Sequence, residues 1–165
     1  MSADAQGNFV VVWDSPHAYH YGTRFGIFGR RFDSSGASIG SEFQVNAYTT
    51  WTNFLPSVSC DAAGNYVVVW DSSFDSGGYG VFARRYDSSG AVLGSEFPVN
   101  SYTSGAQRRS SVSSHAAGGF VVAWNSDGQD GSGYGVFAQR FDSSGAHVGA
   151  EFQVNSYTAD FQYRP

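Results

Sequence analysis

Cysteine is nearly absent from this chain: Cys60 is the only one in 165 residues, so no intrachain disulfide can form. Positive charge is scarce as well. Nine Lys+Arg stand against fourteen Asp+Glu, a net charge of −5. With no basic stripe to neutralise phosphates, nucleic acid is not an expected partner. Long apolar runs are missing too; FVVVW is far too short to span a bilayer, so no membrane insertion is expected. The opening residues MSADAQGNF have neither the charged nor the apolar region of a signal peptide. Helical periodicity is absent throughout. No G-x-S-x-G, H-E-x-x-H or phosphate loop occurs, and His17, His20, His115 and His147 stand at unrelated positions, so the expectation is a non-enzyme. The composition, 41% hydrophobic and 17% aromatic, is still rich enough to build a core.

What the chain has is repetition. GNFVVVWDS (7–15), GNYVVVWDS (64–72) and GGFVVAWNS (118–126) each lead to a second shared phrase. That phrase is GIFGRRFDSSGASIGSEFQVNAYT (26–49), GVFARRYDSSGAVLGSEFPVNSYT (80–103) and GVFAQRFDSSGAHVGAEFQVNSYT (135–158). Trp13, Trp70 and Trp124 mark equivalent positions, as do Asn46, Asn100 and Asn155. A period of this length means stacked units, none of which can bury its own faces alone.

Each unit reads as four short strands between turn signals. In the second unit these are SVSCD (57–61), YVVVW (66–70), VFARRYD (81–87) and VLGSEFPVN (92–100). YVVVW is apolar on both faces, which calls for cover on both sides. Gly90 supplies the positive φ of the Ser-Ser-Gly turn, and Pro98 suits an edge strand. Serines alternate along the first strand (Ser57, Ser59, Ser111, Ser113), fitting an innermost strand where units crowd around an axis. Four antiparallel strands per unit predict an all-β fold, a β-propeller with blades at 1–55, 56–109 and 110–165; a flat β-solenoid is the alternative. Residues 1–4 align with 58–61, inside a first strand, and Pro165 aligns with Pro56. Three blades cannot close a ring. Two chains joined head to tail would give six blades, so the chain's expected partner is itself, as a homodimer. An excerpt of a longer array, natural or engineered, is the other reading.

The phrases FVVAW, GVFAQRFDSSGA and G-x-EFQVN resemble repeats of long secreted or surface-attached bacterial proteins, often found beside calcium-binding modules. The resemblance spans essentially the whole chain. It implies an exported origin and a binding or adhesive role, and no chemistry.

Candidate residues fall into two groups. Arg31, Arg85 and Arg140, Glu42, Glu96 and Glu151, and Asp33, Asp87 and Asp142 recur in every unit. Turn capping by Asp and an Arg–Glu pair account for these without a ligand. Cys60 aligns with Ala3 and Ser114, which marks a small residue on a crowded strand rather than a catalytic thiol. Binding is expected where the units differ. The loops between second and third strands are 15–25, 72–79 and 126–134. The first carries His17, Tyr19, His20, Tyr21, Arg24 and Phe25, which could stack on a sugar and hydrogen-bond it. Asp127 and Asp130 of the third give it the flavour of a calcium loop without the spaced ligands of an EF-hand, and the second keeps only Asp75. The connectors after the fourth strand repeat Tyr48, Tyr102 and Tyr157, expected to pack between blades. Trp51, outside the repeated framework, is the leading residue for stacking on a glycan. The expectation is a lectin-like module with no obligatory cofactor, calcium being the one candidate ion; a self-assembling structural fragment with no small ligand, or a calcium-stabilised adhesin fragment, is the alternative.

Overall fold

The computed structural model describes the chain except residues 20–21, 49–50, 74–77 and 163–164; at 17–19 and 22–24 only the backbone is described. The β-branched and aromatic runs form strands, and the Gly-containing turns reverse the chain between them. Three four-stranded antiparallel sheets follow in chain order. The first comprises β1 (Ser2–Ala3), β2 (Phe9–Tyr19), β3 (Gly22–Phe32) and β4 (Ser38–Gln44). The second comprises β5 (Asn53–Cys60), β6 (Tyr66–Ser72), β7 (Gly80–Tyr86) and β8 (Phe97–Pro98). The third comprises β9 (Gln107–Ser114), β10 (Phe120–Asp127), β11 (Tyr134–Phe141) and β12 (Phe152–Gln153). The closest backbone approach between sheets is at the first strand of the following sheet, β5 or β9. This all-β, repeated-sheet architecture fits the blades of a β-propeller.

The two sides of YVVVW explain how the sheets hold together. Val68 and Trp70 pack with Val10, Ile27 and Val45 of the first sheet. Val67 and Val69 point the other way, toward Phe120, Val122 and Trp124 of the third. The whole of β6 is buried as a result. Serines at the first strands allow close approach: Ser2 Oγ accepts from Cys60 N at 3.0 Å, and Ser59 Oγ from Ser114 N at 2.8 Å.

The recurrent polar residues act locally. Asp33, Asp87 and Asp142 each accept from the serine two residues on, through both its N–H and its hydroxyl, and from the N–H of the alanine four residues on. The hydroxyl bond above all holds these carboxyls below the usual aspartate value. Asn46, Asn100 and Asn155 tie the fourth strand to the third, accepting from Ile27 N, Val81 N and Val136 N at 2.7–2.8 Å.

Several expectations need correction. The Arg–Glu pair is replaced by two separate bridges between sheets. The guanidinium of Arg31 donates to the carbonyls of Ser88 and Ser89, and that of Arg85 to those of Ser143 and Ser144. Glu96 accepts from Ala47 N at 2.7 Å, and Glu151 from Ser101 N at 2.8 Å. Tyr48 and Tyr157 are not enclosed between sheets; they are 50% and 67% exposed. What recurs there is the carbonyl, which accepts from the asparagine Nδ2 at 2.7–2.9 Å in all three units. The first strand of the second sheet starts at Asn53 rather than Ser57, with a bulge between Phe54 and Ser57. The expected strand 92–100 is ordered as a ladder only at Phe97–Pro98, plus a bridge from Val92 to Tyr86. Gly94, at φ 87°, breaks its extended path. Residues 15–19 and 22–25 are strand rather than loop: β2 and β3 stay paired as far as Tyr19 and Gly22, the facing strand overriding the local preference of that stretch.

Candidate binding face

Antiparallel alternation sorts the connections by end. Links from first to second and third to fourth strand leave at one end of each sheet. Links from second to third strand, and from one sheet to the next, leave at the other. The invariant turns therefore share an end, where Ser88 N donates to Asn65 Oδ1 at 3.2 Å. The variable segments share the opposite end. There Ser73 N donates to Thr52 O at 3.1 Å, Gln107 N to Tyr79 O at 2.7 Å, and Asp127 N to Ala106 O at 3.0 Å. The second and third hairpin loops are thereby stitched to connectors leading into a first strand.

At this end the first strands of the second and third sheets carry the same bulge. Leu55 and Arg109, at matching positions, adopt φ of 53° and 59°. For residues with a Cβ that conformation costs energy and needs external support. Asp71 supplies it in the third sheet, accepting from Arg109 N at 2.6 Å and from Ser110 N and Oγ at 3.3 and 3.1 Å. Asp71 is fully buried, and that burial pushes its carboxyl pKa from 3.8 up to about 6 despite these bonds. Beside it, Phe54 and Tyr79 meet edge to face at 5.4 Å. Arg108 lies over both rings, 4.2 Å from the Tyr79 centroid and 5.2 Å from that of Phe54. Leu55, Arg108, Arg109, Asn125 and Tyr134 line a cleft next to this cluster. The arrangement offers flat aromatic surface next to cationic hydrogen-bond donors.

The sequence-derived candidates distribute as follows. Trp51 lies at the variable end, 42% exposed, its carbonyl accepting from Asn53 Nδ2 at 3.0 Å. Phe25 is 38% exposed on β3. His17 and Arg24 face each other in the β2–β3 register, and Tyr19 pairs with Gly22, but the side chains of His17, Tyr19 and Arg24 lie outside the described residues. So do His20, Tyr21 and Asp75. Asp130 accepts from Ser132 N and Gln153 Nε2, and the Asp127 amide is tied to Ala106. Among the described residues no three His, Cys, Asp or Glu side chains gather as a metal ion would require. The cluster of Phe54, Tyr79 and Arg108 escaped sequence reading, although one signal was present: Phe54 and Arg108 occupy the same repeat position and differ.

No protein-family model matches this chain, and no curated protein matches it. Among solved structures, an endo-arabinase from Bacteroides thetaiotaomicron VPI-5482 is similar, with a TM-score of 0.56 and 15% sequence identity. The alignment covers 92% of this chain and 59% of that one. The chain therefore spans somewhat more than half the length of the endo-arabinase, and the likeness is one of fold.

Proposed function

We propose that the chain is a non-enzymatic, lectin-like β-propeller module that binds a glycan at the end of the sheets where its units differ. The supporting observation is that convergence itself. One end holds invariant capped turns; the other gathers exposed Trp51 and the Arg108 guanidinium seated over Tyr79 and Phe54. Sugars offer apolar C–H faces for aromatic stacking and hydroxyls for such donors. The structural likeness to an endo-arabinase accords with a carbohydrate-related role. The module would work as a six-bladed ring of two copies, within the range that propellers occupy. A glycan array tests the reading. We expect a defined set of positive sugars, and Trp51→Ala is expected to weaken their binding at least about tenfold, the ~1.4 kcal/mol of one stacking contact. An array with no positive, or Trp51→Ala binding as tightly as wild type, would overturn it.

A second reading, a purely structural unit whose ligand is another copy of itself, is favoured by the apolar residues left uncovered on the outer sheets. Phe152 and Val154 of the third are 42% and 56% exposed. The array separates the two readings: a defined set of positive sugars supports the first and no positive the second.

A further inference from the structure

The two sheet-to-sheet interfaces within the chain are built alike, and the terminal sheets display the two halves of a third. On its forward side a sheet presents an arginine and a first-strand serine. The following sheet answers with the carbonyls of its Ser-Ser-Gly turn and the N–H of its own first strand. Thus Arg31 reaches Ser88 O at 2.6 Å, and Arg85 reaches Ser143 O at 2.6 Å. In the other direction Glu96 and Glu151 reach back to cap the N–H groups of Ala47 and Ser101.

The third sheet carries the forward half, and among the described residues nothing packs against it. Arg140 is exposed where Arg31 and Arg85 are half-buried. Val154 is 56% exposed where its counterparts Val45 and Val99 are 0%. The clefts between sheets are walled on one side by Arg31 or Arg85 and on the other by the next sheet's Ser88 or Ser143. The corresponding cleft at Arg140, Phe141 and Ser113 has only the first wall. The first sheet carries the answering half. Trp13, Phe9 and Phe32 are half-buried, whereas Trp70 and Trp124, counterparts of Trp13, are 1% and 0% exposed. Glu42, the counterpart of Glu96 and Glu151, is exposed.

The segment after the third sheet is already set as the start of another first strand. Gln162 N donates to Tyr134 O at 2.7 Å, as Gln107 N does to Tyr79 O. Asn155 Nδ2 donates to Gln162 Oε1 at 3.3 Å, as Asn100 Nδ2 does to Gln107 Oε1 at 3.4 Å. Asp160, at φ 61°, takes the left-handed conformation of Gly105 at 70°.

Resting on the two-copy ring, we propose how that ring closes. The third sheet of one copy docks on the first sheet of the other, with Gln162 leading toward the partner's Ser2–Ala3. Arg140 donates to the carbonyls of the partner's Ser34 and Ser35, and the partner's Glu42 caps the N–H groups of Ser156 and Tyr157. Val154 covers the partner's Trp13, as Val45 packs with Trp70, and Phe152 meets the partner's Phe32, as Phe43 meets Tyr86 and Phe97 meets Phe141. A second copy is the fitting occupant because both open faces repeat, residue for residue, surfaces that already close on each other inside the chain.

Native mass spectrometry of the full chain, wild type and variants, tests this. Wild type is expected at twice the 17.7 kDa chain mass. Arg140→Glu and Val154→Asp are each expected to raise the dimer dissociation constant at least about tenfold while keeping the strand circular-dichroism signature. Arg31→Glu, the same change at an interface inside one chain, should leave the dimer intact. A wild-type mass of one chain or of three overturns the two-copy ring and this junction with it. A dimer that Arg140→Glu and Val154→Asp both leave unaffected overturns the junction alone.

Discussion

Replacing Trp70 by alanine should lower the unfolding free energy by about 3–5 kcal/mol, the usual cost of removing a fully buried tryptophan. Trp70 is 1% exposed between the first and second sheets, stacked on Phe82 at a centroid distance of 6.4 Å. Its Nε1 donates to Asn53 Oδ1 at 3.1 Å, so the truncation also leaves a buried amide oxygen short of a donor. Trp13→Ala should cost less in the isolated chain, because Trp13 is only half-buried there. In the ring the two costs should converge. Urea unfolding of both variants at low and high protein concentration measures this. A loss below about 1 kcal/mol for Trp70→Ala would contradict the role of the interface core.

Asp71 carries the second large effect. Asp71→Ala would strand two backbone N–H groups and the Ser110 hydroxyl, all held by its carboxylate, and should cost roughly 2–4 kcal/mol. Its pH signature is separable. With a folded pKa raised to about 6 from 3.8, the folded state holds this proton more tightly than the unfolded chain. The resulting stabilisation is complete below pH 3.8 and disappears as pH rises through 6. The span is roughly 2–3 kcal/mol. The turn aspartates act oppositely and at lower pH. Their carboxyls are held below 3.8, so their contribution stands above that value and fades as pH falls through the lowered values. Between pH 7 and 4.5, therefore, Asp71 dominates. Wild type should gain stability over that interval, and Asp71→Asn, which cannot titrate, should lose that gain. Equal pH slopes for the two proteins would refute the assignment.

The strands, their order and the capped turns were legible because they recur: three copies of one phrase average out local ambiguity. Asp87 and Gly90 announce a turn by chemistry confined to five residues. What was not legible joins residues from different units. Arg85 aligned with Glu96 in every repeat suggested a pair, yet each reaches across a sheet interface to a backbone group that sequence does not display. The same holds for Tyr102, whose constraint lies in its carbonyl, an atom every residue has. Arg108 over Tyr79 and Phe54 needs three segments brought together by two connectors, and no local pattern foretells that. The length of β2 and β3 was missed for a different reason: 15–25 differs from its counterparts in the other units and so read as loop, while pairing with a facing strand overrode the local preference.

The burial of β6 on both sides has a consequence for how the chain opens. Its neighbours β2 and β10 each face one covered and one uncovered side, so the units are unequal in stability despite near-identical sequence. In a linear array each interface adds its own increment, and a middle unit draws on two. Fluctuations should therefore fray the chain from its outer units inward, leaving Tyr66–Ser72 as the last segment to exchange its amide protons. Closing a ring would erase that gradient, since no unit would then be terminal.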